Sequence, residues 1–168
     1  MASFLTAEQQ ELAEEIGAML VERGENICIA DGTTGGLISA ALLSLPGASK
    51  FYAGGAVLYT IKSRVALAGA PAEMFANYQG TTLEMMQVTA TSLRQRLETT
   101  WCLAESGVAG PTGGRSGKPL GFTNICIVGP VSRSESIETG IADRADNMAE
   151  FATRSLRLLR DAIREAGA

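Results

Sequence analysis

The sequence predicts a single α/β domain over residues 1–168, a sandwich in which a mixed, mostly parallel sheet is flanked by helices. Short apolar runs alternate with segments whose apolar residues recur at helical spacing, which is typical of parallel strands joined by helical crossovers. Two strand-like segments near the end are joined by a turn at Gly129-Pro130, which predicts an antiparallel hairpin at one side of the sheet. The length suits one domain with a substantial core, and the chain contains neither a linker-like stretch nor an internal repeat.

The individual elements follow from local signals. Thr6 and Gln9 have the spacing of a capping box, so a first helix begins there and should end at Gly24. Further helices are predicted from 37 to about 45–47, over 60–68, from Pro71 onward, over 82–98 and from Asp143 onward. Strands are predicted at 26–30, 51–59, 100–106, 122–128 and 135–141, and a glycine-rich loop at 107–117. The pair Gly54-Gly55 inside the second strand predicts a bulge or a close backbone approach.

Charge and hydropathy exclude several partners. The formal net charge is −4, which argues against nucleic acid and anionic membranes as binding partners. No apolar run is long enough to span a bilayer, and the N-terminus lacks the pattern of a secretory signal. We therefore expect a cytoplasmic protein.

The rare residues restrict the chemistry. Histidine is absent, which removes Ser-His and Cys-His relays and most transition-metal sites. Cys28, Cys102 and Cys126 lie in apolar runs without metal-ligand spacing, so we expect buried, reduced thiols, no metal and no cofactor.

The most informative segment is Ala30-Asp31-Gly32-Thr33-Thr34-Gly35-Gly36, between a predicted strand and a predicted helix. A strand, a Gly/Thr turn and a helix in this order direct backbone N–H groups toward whatever lies before the helix. We expect the turn to bind a phosphate or carboxylate. It contains no Ser, Cys or His, so a nucleophile in it would have to be a threonine.

A second glycine-rich segment follows a later strand: Ser106-Gly107-Val108-Ala109-Gly110-Pro111-Thr112-Gly113-Gly114, then Lys118-Pro119-Leu120-Gly121. Loops that leave the carboxyl ends of strands form the ligand crevice of α/β sheets, so the two segments could face one site. Either loop alone would be weak evidence, since most Gly/Pro loops are only turns.

Taken together, these motifs resemble the CinA C-terminal domain family over nearly the whole chain. The family turn reads Ala-Glu-Ser-Cys-Thr-Gly-Gly, and 30–36 occupies its place. The family's Ser-Gly-Ile-Ala-Gly-Pro and Lys-Pro-Val-Gly are nearly reproduced within 106–121, and its Gly-Phe-Val-Thr-Tyr-Ser-Asn-Glu-Ala-Lys corresponds to 55–64. Asp143-Arg144 matches the family's Gly-Asp-Arg.

The resemblance implies an amidohydrolase that converts nicotinamide mononucleotide and water to nicotinate mononucleotide and ammonia. In the family a serine is the expected nucleophile, with a lysine and a tyrosine as base and proton relay. Here Gly32 stands at the serine position and Arg64 at the lysine position, while Tyr59 is retained. Arginine does not release its proton near neutral pH. We expect weak or no deamidase activity, and a larger gain in ammonia release from Gly32→Ser with Arg64→Lys together than from either change alone.

Three functional hypotheses stay open at this point. The chemistry could have moved to Thr33 and Lys62 with Tyr59, although catalysis tolerates misplacement poorly. The chain could be a non-catalytic homologue that binds a pyridine nucleotide or phosphate, or a structural subunit of a homo-oligomer. The expected substrate or phosphate contacts are Asp31, Gly32, Thr34, Gly35, Gly36, Arg64, Ser106, Gly107, Ala109, Gly110 and Arg144.

Overall fold

A computed structural model describes residues 3–114 and 117–168. The helices of this part are Ala7–Arg23 (α1), Leu37–Leu43 (α2), Ile61–Ala66 (α3), Leu83–Leu97 (α4) and Arg144–Ala166 (α5). The strands are Ile27–Asp31 (β1), Tyr52–Val57 (β2), Trp101–Val108 (β3), Phe122–Val128 (β4) and Arg133–Glu138 (β5). Short 3-10 turns occur at Ala48–Lys50 and Ala72–Phe75.

The strands form one mixed sheet in the order β2-β1-β3-β4-β5. β1 is parallel to both β2 and β3, whereas β4 is antiparallel to β3 and to β5. Only β4 therefore runs against the common direction, which confirms the mixed α/β sheet and the antiparallel hairpin. The carboxyl ends of β2, β1 and β3 meet at one edge of the sheet, and the functional site is built there.

Helices cover both faces of the sheet. α1, α2 and α5 pack together over one face, on side chains such as Ile29, Leu103 and Ile127. α4 covers the other face, where Met86, Ala90 and Leu93 pack on the small side chains of β1, β3 and β4. Side chains of a strand alternate between faces, so the fully buried strands β1 and β4 are mostly apolar on both sides, with Asp31, Thr123 and Asn124 as buried polar exceptions.

The local signals of the sequence act as expected at several points. Thr6 and Gln9 make both bonds of the capping box, and α1 ends at Gly24 with a φ of 64°. The predicted irregularity in β2 is confirmed: Ile27 pairs with Tyr52 and Cys28 with Gly54, so one β2 residue is skipped. Cys28, Cys102 and Cys126 are all buried and free, as predicted.

Some boundaries differ from the prediction. β3 continues to Val108 because its last residues pair with the start of β4, so the glycine-rich loop begins two residues later than expected. Residues 115–116 of that loop lie outside the described part. Pro71 precedes only a 3-10 turn, and β5 ends at Glu138, after which the Thr139 amide bonds to the Gly121 carbonyl. Among the described residues, no helix combines the length and the apolar character needed to cross a membrane.

Candidate functional site

A cavity of about 570 Å³ lies at the carboxyl ends of β1, β2 and β3. The two glycine-containing segments of the sequence both contribute to it, as their positions after parallel strands predict. Its described lining residues are Gly32, Thr33, Tyr59, Thr60, Ile61, Arg64, Tyr78, Gly80, Thr81, Ser106, Gly107, Val108, Ala109, Gly110, Thr112, Gly114, Lys118, Phe122 and Arg144.

Arg64 anchors a polar network in the cavity wall. Its guanidinium Nη2 donates to Ser106 Oγ at 2.8 Å, and Nη1 donates to Thr81 Oγ1 at 3.0 Å. The Tyr78 hydroxyl lies 3.0 Å from Thr81 Oγ1. Arg64 is only 4% exposed, and burial lowers the pKa of its guanidinium. The group stays protonated near neutral pH, so it donates hydrogen bonds and cannot serve the neighbouring hydroxyls as a base.

Thr33 lies in the cavity wall with both functions of its hydroxyl in use. Thr33 Oγ1 donates to the Gly107 carbonyl at 3.0 Å and accepts from the Gly107 amide at 2.7 Å. Lys62, in contrast, is exposed on α3 and lies outside the described cavity lining. The structure therefore does not bring Lys62 to the Thr33 hydroxyl as a nucleophile–base pair requires.

Several amides at the turn after β1 and the start of α2 are bonded within the protein. The buried Asp31 carboxylate accepts from the amides of Ile38 and Ser39 and from the hydroxyls of Thr34 and Ser39. It thus caps α2, whose seven residues begin at Leu37.

The next amides of the turn are also bonded. Thr34 N–H donates to Glu105, and Gly35 N–H donates to the Gly32 carbonyl. Asp31, Thr34, Gly35 and Gly36 lie outside the cavity lining. In the structure these residues hold the start of α2, while the cavity is lined by their neighbours Gly32 and Thr33.

Gly32 is packed against β3. A Cβ atom built on it would lie well inside van der Waals contact with the backbone carbonyl oxygen of Glu105, and 3.2 Å from Ser106 Cα. Because backbone atoms cannot rotate away, any side chain at this position requires the end of β1 to move. The expectation that Gly32→Ser simply returns a hydroxyl to the site is therefore revised.

Glu105 of β3 links the turn after β1 to β4. Its carboxylate accepts from the Thr34 amide at 2.9 Å and from the Thr123 hydroxyl at 2.5 Å. Its burial raises the pKa of the carboxyl group, and these two hydrogen bonds oppose that shift. Glu105 therefore supports the cavity wall without lining it.

Arg144, at the start of α5, bridges the outer part of the cavity. It donates to the Gly110 carbonyl at 2.6 Å and to the exposed Tyr59 hydroxyl at 3.3 Å. Nearby, the Lys118 ammonium lies 4.5 Å from the centroid of the Phe122 ring, a cation–π contact. Asn147 of α5 donates to the Ala109 carbonyl at 2.9 Å, which fixes the glycine-rich loop.

The charged side chains among the described lining residues of the cavity are all cationic. Arg64, Lys118 and Arg144 line it, and no Asp or Glu is among its described lining residues, although the whole chain has a net charge of −4. Tyr59, Tyr78 and Phe122 supply aromatic surface in the same cavity. Such a combination suits a flat ring attached to an anionic group.

Sequence reasoning placed several of these residues and missed others. Tyr78 and Thr81 precede the cap of α4, and a Tyr-Gln-Gly-Thr segment before a helix gave no chemical signal of its own. Lys118 stands in a recognised motif, yet nothing in that motif showed that it faces the cavity. Glu105 lay hidden inside an apolar run.

The chain belongs to the CinA C-terminal domain family, whose model matches residues 9–163. It is 33% identical over 159 residues to a CinA-like protein of Gloeobacter violaceus. The matched residues make up 94% of this chain and 37% of that relative. A CinA-like protein of Prochlorococcus marinus is 33% identical over 123 residues, 73% of the chain and 29% of the relative. The chain thus spans well under half the length of these curated relatives.

Solved structures share the fold. A competence/damage inducible protein from Agrobacterium tumefaciens superposes with a TM-score of 0.89 at 23% identity, covering 96% of this chain and 99% of that one. A CinA superfamily protein from Klebsiella pneumoniae gives 0.87 at 22% identity, covering 94% and 98%. The five-stranded mixed sheet flanked by helices is therefore the fold of this superfamily.

Proposed function

We propose that the cavity binds a pyridine mononucleotide and that the chain hydrolyses its carboxamide slowly or not at all. The observation that carries the proposal is that the charged side chains lining the described cavity are all cationic. The same cavity is also lined by three aromatic residues, Tyr59, Tyr78 and Phe122. An anionic, ring-bearing ligand complements this lining, and the family resemblance favours a pyridine nucleotide among such ligands.

The lack of hydrolysis follows from the hydroxyl groups in the cavity. Attack on an amide needs a hydroxyl whose proton is taken by a base. The Ser106 hydroxyl faces the Arg64 guanidinium, which only donates, and the Thr33 hydroxyl is bonded to the Gly107 backbone. Gly32 offers no side chain. Each described candidate for the nucleophile therefore lacks a base.

Binding is tested by isothermal titration of the purified protein with nicotinamide mononucleotide, nicotinate mononucleotide and the corresponding ribosides. We expect at least one mononucleotide to bind and both ribosides, which lack the phosphate, to bind at least tenfold more weakly, about 1.4 kcal/mol. Lys118→Met and Arg144→Met should each weaken the mononucleotides and leave the ribosides unchanged. Absence of binding by both mononucleotides would overturn the proposal.

We also propose a homo-oligomer in the cytoplasm. Several large apolar side chains are exposed, among them Leu43, Val57, Leu67 and Leu97. Apolar side chains at the surface mark subunit interfaces where they form one contiguous patch, and the proposal requires that these residues meet in such a patch. Sedimentation velocity over a range of protein concentrations tests this, and a strictly monomeric protein would contradict it.

A further inference from the structure

Arg64 is a buried cation whose described partners are all neutral. Besides the hydroxyls of Ser106 and Thr81, its Nε donates to the Leu58 carbonyl at 3.4 Å. Within residues 3–114 and 117–168, no carboxylate lies within ion-pair distance of this guanidinium. A buried charge without a directly paired counter-charge is costly, so the guanidinium is only partly compensated in the free protein.

Glu105 makes no ion pair with Arg64, although its charge raises the pKa of the Arg64 guanidinium and so opposes the larger lowering by burial. It precedes Ser106 on β3, so its side chain points to the opposite face of the strand. There its two carboxylate oxygens accept from the Thr34 amide and the Thr123 hydroxyl. Both oxygens of the Glu105 carboxylate are therefore used where β1, β3 and β4 meet, and neither bonds to Arg64.

The guanidinium has donors left for a ligand. Arginine carries five N–H groups, and the bonds to Leu58, Thr81 and Ser106 use one on each nitrogen. Arg64, Tyr78, Thr81 and Ser106 all line the cavity. A planar guanidinium with hydroxyls beside it matches the planar, two-oxygen geometry of a carboxylate.

We propose that Arg64, with the hydroxyls of Tyr78, Thr81 and Ser106, forms a subsite that selects a ring carboxylate over the corresponding carboxamide. The inference rests on the proposed function and specifies its ligand: a nucleotide with a phosphate near the exposed Lys118 and Arg144 and a carboxylate at Arg64. A carboxamide offers one acceptor oxygen in place of two, and its NH₂ group would face the guanidinium, which only donates. Sites built to pair with a polar group discriminate strongly against an analogue that lacks it.

The experiment compares nicotinate mononucleotide with nicotinamide mononucleotide, two ligands that differ only in carboxylate against carboxamide. Isothermal titration of the unmodified protein should show at least tenfold tighter binding of the carboxylate. Arg64→Met should remove the preference, and Arg64→Lys, which keeps the charge without the fork, should retain part of it. Circular dichroism and urea unfolding establish that each variant is folded.

Lys118→Met is the matched control, because it removes a cavity cation away from the Arg64 network. It should weaken both mononucleotides by the same factor and leave their ratio unchanged. If both ligands bind the unmodified protein equally, or the carboxamide binds tighter, the inference is overturned while the proposed function stands. If Arg64→Met weakens both equally, Arg64 contacts the phosphate instead and the inference is again wrong. If neither mononucleotide binds, both proposals fail.

Discussion

The packing of Gly32 against β3 makes a sharp prediction about substitution at this position. In Gly32→Ala the new methyl carbon would meet the Glu105 carbonyl oxygen and lie 3.2 Å from Ser106 Cα. Carbon contacts are comfortable only near 3.5–4.0 Å, so the end of β1 must move away from β3 by roughly 1 Å. That movement also strains the bond from the Thr34 amide to the Glu105 carboxylate. Overpacking of this kind costs about 1–3 kcal/mol, and we expect the upper half of the range because backbone blocks the methyl group.

The assay is equilibrium urea unfolding followed by circular dichroism, with Gly113→Ala as the control. Gly113 also has no left-handed φ, and its added methyl would lie 3.2 Å from the Lys118 carbonyl oxygen in an exposed loop, a far milder contact than the one at Gly32. We expect the control to change the free energy of unfolding by less than about 0.5 kcal/mol. Gly32→Ser should lose about as much stability as Gly32→Ala, since both introduce the same Cβ. An unfolding midpoint of Gly32→Ala equal to that of the unmodified protein would refute the reasoning.

Three further predictions concern the same region. Thr33→Val leaves the Gly107 amide without its partner and should lower the free energy of unfolding in urea by about 1–3 kcal/mol. It should weaken ligand binding while the circular dichroism spectrum of the folded protein stays the same. Leu103→Ala, in the middle of β3, should cost about 2–5 kcal/mol by the same assay, because Leu103 is fully buried. The pKa of Glu105 is raised above 4.5 in the folded protein, so its contribution to stability is present below 4.5 and is lost as pH rises through the raised value. Glu105→Gln should therefore flatten the fall in stability between acidic and neutral pH, and an unchanged slope would contradict this.

The sequence predicted the sheet and the helices well because their signals are local. Capping at Thr6, glycine at 24 and apolar runs over β1, β3 and β4 each depend on a few neighbouring residues. The meeting of two glycine-containing segments could also be foreseen, since both follow parallel strands of one sheet.

The roles of individual site residues were harder to predict because they depend on contacts between distant segments. Asp31 belongs to a motif that suggested ligand binding, yet its carboxylate caps α2. Whether Gly32 has room for a side chain depends on Glu105, far along the chain. The burial of Arg64 depends on its hydrogen bonds to Thr81 and Ser106, which come from two distant segments of the chain and which no sequence pattern indicated.

The central claim is binding without efficient hydrolysis, and one sample can test both parts. Nicotinamide mononucleotide is titrated into the protein by calorimetry, and ammonia and nicotinate mononucleotide are then quantified in the same cell over hours. The account predicts a binding isotherm that depends on Lys118 and Arg144, together with ammonia at the level of a protein-free control. Saturable ammonia release with many turnovers per protein molecule, abolished by Thr33→Ala, would contradict it and show that the chemistry resides at Thr33.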